Sequence, residues 1–107
     1  MPPDELQLPL TPAVFFILFA LADGEKHGYA IMQEVSKLSA GKFRMGPGTL
    51  YTTIQRLLDL KLIAETKDSI EEEGRRRYYK LTRAGKSLFA EELSRMEAVL
   101  RLAHAMK

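Results

Sequence analysis

The sequence of 107 residues contains no cysteine and no tryptophan. Without cysteine, disulfide scaffolds, thiolate zinc sites and thiol nucleophiles are all excluded, which agrees with a cytoplasmic location. Long hydrophobic runs are missing too. The longest, Ala13 to Ala22, covers ten residues, whereas a bilayer span needs about 20. No membrane anchor is expected, and with no basic segment ahead of this run or convincing cleavage site behind it, no secretory signal either. The two histidines, His27 and His104, stand far apart with no paired carboxylate motif. Glu71-Glu72-Glu73 lacks the alternate spacing of a calcium loop, and there is no glycine-rich phosphate loop or nucleophile elbow. Neither a metal or cofactor site nor an enzyme is expected.

Hydrophobic residues make up 46% and charged residues 28% of the chain, as in one ordinary globular domain with a modest core. The net charge of +2 hides an uneven distribution. Glu65, Asp68, Glu71, Glu72 and Glu73 crowd one segment against Lys67. The next, Arg75 to Lys86, carries Arg75, Arg76, Arg77, Lys80, Arg83 and Lys86 with no acid. Cationic character is therefore local rather than global.

One stretch, Gly46 to Ile63, organises the rest. Gly46 and Pro47 mark a helix start, and the spacing predicts a helix over Pro47–Leu60. Leu50, Ile54, Leu57 and Leu58 form its apolar stripe. The opposite face carries Gly48, Thr49, Thr52, Gln55 and Arg56, with Tyr51 on the border and no carboxylate before Asp59. Thr, Gln and Arg side chains can donate to base edges and phosphates, and a helix fits a major groove. Taken alone, this is better read as an ordinary helix with a solvated side; its neighbours reverse that judgement.

Residues 1–10 are expected as a loose arm. Thr11-Pro12 caps and opens a first helix through Ala22, apolar on nearly every side, which must be covered by more than one neighbour. A second helix is expected from His27-Gly28 to about Leu38, burying Tyr29, Ile31, Met32, Val35 and Leu38, before Ser39-Ala40-Gly41 breaks it. The order is a helix-turn-helix on a supporting helix. Leu62–Thr66 and Arg77–Leu81 read as a hairpin, with turn signals at Asp68-Ser69 and Glu73-Gly74. Alternation would put Arg75, Arg77 and Tyr79 on one face and Arg76, Tyr78 and Lys80 on the other. Thr82 caps a last helix from Arg83 to about Met106. Its residues Phe89, Leu93, Met96, Leu100 and Ala103 repeat at coiled-coil spacing, and a copy of itself, helped by the first helix, is the simplest cover.

The expected fold is mainly α with a small β-hairpin: a winged helix-turn-helix over 11–81 plus a long C-terminal dimerisation helix over 82–107. Three segments carry a family resemblance: HGYAI at His27 to Ile31, GPGTLYTTIQRLLDLKLI at Gly46 to Ile63, and GRRRYYKLTRAG at Gly74 to Gly85. Together, in order and spacing, they resemble the PadR family of bacterial winged-helix transcriptional regulators, in its shorter subfamily with one C-terminal helix. The resemblance implies a homodimeric repressor that binds a pseudo-palindromic operator in double-stranded DNA and leaves it when a small-molecule effector binds. It places Thr49, Tyr51, Thr52, Gln55 and Arg56 at the reading face and Arg75, Arg76 and Arg77 of the wing at the backbone or minor groove. Of the two wing tyrosines one is expected in the core and one at a phosphate, and Tyr79 is grouped with the DNA-binding set. Dimerisation falls to Phe15, Phe19, Phe89, Leu93, Met96, Leu100 and Ala103. With Phe16, several of these would line any effector pocket, although plain dimer core is the simpler reading of them. Relatives that bind flat aromatic drugs use a tryptophan in the last helix, which this sequence lacks. The competing reading is a winged helix used for protein contact or effector binding without DNA.

Overall fold

The computed structural model describes residues 6–66, 69–71 and 74–107, with the side chains of 69–71 and 74–76 excepted. Four helices and five short strands follow in the order α1 (Pro12–Ala20), β1 (Lys26–His27), α2 (Gly28–Leu38), α3 (Pro47–Asp59), β2 (Ile63–Glu65), β3 (Ser69–Glu71), β4 (Gly74–Arg76), β5 (Tyr78–Leu81) and α4 (Arg83–Ala105). Each helix lies within about two residues of its expected span.

Local chemistry explains the boundaries. The Thr11 hydroxyl accepts the Val14 N–H at 3.3 Å, with Pro12 in the first turn, and the Thr82 hydroxyl accepts the Gly85 N–H at 3.1 Å. His27 caps α2 by accepting the Ala30 N–H on Nδ1 at 3.2 Å. Both α2 and α3 end in a paired closure. At α2 the Ala40 and Gly41 amides return to the Lys37 and Ser36 carbonyls at 3.0 and 2.7 Å. At α3 the Lys61 and Leu62 amides return to Leu58 and Leu57, each at 3.0 Å. This closure needs a left-handed residue after the helix, supplied by Ala40 at φ 55° and Lys61 at φ 62°.

α1 is the centre of the core. Val14, Ile17, Leu18, Ala20 and Leu21 are buried, and the helix packs on α2, α3 and α4. Ile31 and Val35 of α2 and Leu50, Ile54 and Leu57 of α3 complete this layer. Leu58 is only half-buried. Tyr29, expected inside, is 60% exposed. It precedes Ile31 by two residues, about 200° around the helix, so both cannot face the core. The expected loose arm is also corrected where it is described. Leu6 and Leu10 pack against the core, and the Leu10 N–H donates to Glu92 Oε2 at 2.9 Å.

The sheet is larger than the expected hairpin. β5 is its central strand, paired antiparallel with β2 on one side (Ile63 opposite Leu81, Glu65 opposite Tyr79) and with β1 on the other (Lys26 opposite Tyr79). A two-residue strand such as β1 has too little pattern to be read in advance. β3 and β4 form a separate antiparallel pair, Ile70 opposite Arg75. The expected turn signals fall partly on 67–68 and 72–73, outside the described residues.

The first turn of α4 sits against the α3–β2 junction. The Thr82 N–H donates to the Leu62 carbonyl at 3.1 Å and the Thr82 hydroxyl to the Lys61 carbonyl at 2.7 Å. A Cβ on Gly85 would run into that Leu62 carbonyl oxygen, so the glycine permits the close approach. Further along α4, Glu92 is 2% exposed. Its carboxylate holds the Arg95 guanidinium, with Nη2 at 3.2 Å, and accepts Leu10. The Arg95 hydrogen bond, helped by the one from Leu10, keeps the Glu92 pKa below its ordinary value of 4.5 against the opposing effect of burial.

Two predictions follow from these contacts. Gly85→Ala should lower stability by about 1–3 kcal/mol, because backbone rather than a side-chain tip must yield; an unchanged urea midpoint would refute the close approach. For Glu92 the lowered folded pKa means its contribution is complete above about pH 4.5 and is lost as pH falls through the lowered value. Urea unfolding between pH 6 and pH 3 should therefore show wild type losing stability more steeply than Glu92→Gln. Parallel profiles would mean the carboxylate does not hold the arm.

Candidate nucleic-acid interface

With Leu50, Ile54 and Leu57 turned into the core, the 3.6-residue period forces Thr49, Thr52, Gln55 and Arg56 outward. All four are exposed, and Tyr51 is 49% exposed at the border. Tyr51, Thr52, Gln55, Arg56 and Asp59 line a shallow open depression along the helix. The five residues expected at a reading face therefore share one surface. Arg56 has no ion-pair partner among the described residues, and the Tyr51 hydroxyl makes no hydrogen bond there. Gln55 is engaged: its Nε2 donates to Asp59 Oδ1 at 3.0 Å.

The ends of α3 add features that the sequence reading passed over. Gly46, at the N-cap, has no side chain to cap the helix, and no acid lies in the first turn. The Gly48 and Thr49 amides thus face the exterior at the positive end of the helix dipole, whereas α1, α2 and α4 all have capping side chains. Lys42 and Arg44, in the linker just before, are exposed cations. A glycine where Ser, Thr, Asp or Asn is usual was the available signal. The linker is held by Ser39, whose hydroxyl accepts the Phe43 N–H at 3.0 Å, while the Phe43 ring stacks on Phe16 with centroids 5.9 Å apart.

The start of α2 closes against the same face. A Cβ on Gly28 would meet the Tyr51 ring and hydroxyl, so glycine lets Tyr51 lie over the α2 N-terminus. Tyr29 stands exposed one residue on.

The wing divides the expected residues. Arg77 is exposed, in the break between β4 and β5, with Nε 3.6 Å from Glu65 Oε2. The side chains of Glu71, Arg75 and Arg76, and the whole of Glu72 and Glu73, lie outside the described residues. Tyr79 is not a surface residue: it is 4% exposed, and burial raises its hydroxyl pKa. β5 is central in its sheet, and its inward positions are Tyr79 and Leu81. Tyr78, on the other face, is half-buried with its ring edge-on to His27 at 5.4 Å. The expected alternation holds for Arg77 and Tyr79: Tyr79 lies directly opposite Glu65 in the ladder, and Arg77 reaches the same Glu65 side chain, so the two share a face although only Tyr79 is buried.

The dimerisation set divides as well. Phe89 is buried within the chain, its ring centroid 5.6 Å from both Phe15 and Phe19, which are half-buried. Leu93 and Met96 are each 39% exposed and Leu100 is 57% exposed. Val99, Leu102 and Met106 extend this uncovered apolar surface. Among the described residues no group of His, Asp or Glu is placed to hold a metal ion, and no helix is long and apolar enough to cross a membrane.

Comparison with known proteins places this arrangement. The Transcriptional regulator PadR-like family matches residues 17–91. A transcriptional regulator of Mycobacterium tuberculosis is 36% identical over 86 residues, which are 79% of this chain and 76% of that protein. An uncharacterised 37.1 kDa protein in transposon TN4556 of Streptomyces fradiae is 40% identical over 84 residues. These are 78% of this chain but only 23% of that longer protein. Among solved structures, a PadR family transcription regulator of Clostridium difficile superposes with a TM-score of 0.76 at 22% identity, over 90% of this chain and 98% of its own. Bacillus subtilis PadR, solved in complex with operator DNA, superposes with a TM-score of 0.70 at 23% identity, over 79% of this chain and 47% of its own. At such identities the structural likeness is one of fold, a winged helix, while the sequence match extends over most of the chain: it belongs to the PadR-like family of transcriptional regulators.

Proposed function

We propose that this regulator acts as a homodimer that binds a pseudo-palindromic operator in double-stranded DNA, represses transcription there and is released by a small-molecule effector. The observation that carries the DNA reading is the outer face of α3. From Thr49 to Arg56 it is exposed and hydrogen-bonding, with no carboxylate. Thr49, Tyr51, Thr52, Gln55 and Arg56 are assigned to the major groove, and the unpaired Gly48 and Thr49 amides suit a phosphate at the groove edge. Lys42, Arg44 and the wing cations Arg75, Arg76 and Arg77 are assigned to the backbone. Residues 11–81 then form the DNA-binding unit and 82–107 the dimerisation helix. The domain buries α4 only as far as Glu92, leaving 13 residues, about 20 Å of helix, with their apolar side uncovered. A second copy of the same seam, through Leu93, Met96, Leu100 and Ala103, covers it and sets two reading helices on successive turns of one DNA face. The effector would sit between protomers, near Phe15, Phe16 and Phe19.

DNA from upstream of the protein's own gene should be retarded by the protein at about 50 mM salt, with affinity falling by orders of magnitude at about 200 mM. If no retardation occurs at low salt at any protein concentration, the DNA reading fails, and an apolar protein contact, insensitive to salt, becomes the better account. The dimer is tested separately. Leu93 and Leu100 are surface residues of the isolated chain, so Leu93→Glu plus Leu100→Glu should leave the fold intact and yield a monomer in sedimentation. A variant that still sediments as a dimer would rule out this seam.

A further inference from the structure

The hydrogen bond between Gln55 and Asp59 has a consequence for base choice. Both side chains are exposed on the outer face of α3, one turn apart, with Gln55 Nε2 3.0 Å from Asp59 Oδ1. A carboxylate can only accept, so the nitrogen of the amide must face Asp59 and its oxygen must face away. One Nε2 hydrogen is committed to Asp59. Of the two Nε2 hydrogens one is trans and one cis to Oε1; with the trans hydrogen given to Asp59, the cis hydrogen and Oε1 present a donor next to an acceptor at the free edge of the amide.

We propose that Asp59 is a positioning residue that fixes the Gln55 amide for adenine, so that the pair sets an adenine preference at one position of the DNA half-site. The proposal rests on the DNA-reading role given to α3 above. In the major groove adenine offers N7 as acceptor and N6–H as donor, the complement of Nε2–H and Oε1. Guanine offers N7 and O6, both acceptors, and Oε1 would oppose O6. Rotating the amide to present its nitrogen to O6 would turn Oε1 towards the Asp59 carboxylate, setting two acceptors against each other. Asp59 therefore penalises guanine without touching a base. The carboxylate sits in the last turn of α3, beyond the residues assigned to base contact, where it can hold Gln55 while standing clear of the groove floor.

The full-length protein is used to select duplexes from a random-sequence DNA library at low salt, and the enriched sites are compared for wild type, Asp59→Asn and Gln55→Ala. Asparagine can accept from Nε2 or donate to Oε1, so both amide orientations become available. The adenine-over-guanine preference at one half-site position should fall by roughly tenfold in Asp59→Asn and fall at the same position in Gln55→Ala, with preferences elsewhere kept. Loss of an exposed negative charge or of stability would change affinity for every sequence alike and would not single out one base. If Asp59→Asn keeps the preference, or shifts all positions equally, the positioning role is refuted. If wild type enriches no sequence at all, the DNA-reading role itself fails, an outcome separate from the first.

Discussion

A helix without a polar side has to be wrapped by protein, and the fold of this chain follows from that requirement on α1. Its buried residues face α2, α3 and α4 together, so one apolar rod fixes the relative position of every other helix. The phenylalanines show how. All five in the chain meet around α1: Phe15, Phe16 and Phe19 on the helix, Phe89 arriving from α4 and Phe43 from the linker before α3. Fully burying such a side chain, as at Phe89, is worth about 1.5–3 kcal/mol, and the partly buried ones contribute less. Linker and terminal helix are thus tied to the same point.

That anchorage leaves the outer face of α3 available. Its inner stripe is locked into the core, and its two ends are set by backbone chemistry, an uncapped Gly46 at the start and the left-handed Lys61 at the finish. The turn at Lys61 feeds Leu62 and Ile63 into the sheet, and the Thr82 and Gly85 contacts then bring α4 back onto the same junction. α3, the sheet and α4 are therefore joined at one place.

α4 has two halves with different physics. Up to Glu92 it belongs to the domain, holding the arm through the Leu10 amide and Phe89 in the aromatic cluster. Beyond Glu92 its apolar positions become progressively exposed among the described residues, from 39% at Leu93 and Met96 to 84% at Met106. The half-buried α1 phenylalanines lie beside the point where the first half gives way to the second.

Much was legible from periodicity. The helices, their caps at Thr11 and Thr82, the break at Ser39–Gly41 and the exposed outer face of α3 all follow from side-chain spacing and local hydrogen bonding, which need no distant partner. What escaped was decided by distant partners. Tyr29 and Tyr79 exchanged their expected places, since an aromatic residue suits core and surface alike and only the packing of α2 and the central position of β5 assigned them. The strand at Lys26–His27 is too short to show a pattern and exists because β5 offers it an edge. Nothing in the sequence marks Glu92 as buried, because the contact that covers it comes from Leu10 in the arm. The sequence by itself determined which residues could turn inward along each element; the tertiary structure decided which of them did, because burial is a property of neighbours 20 or 80 residues away rather than of the residue alone.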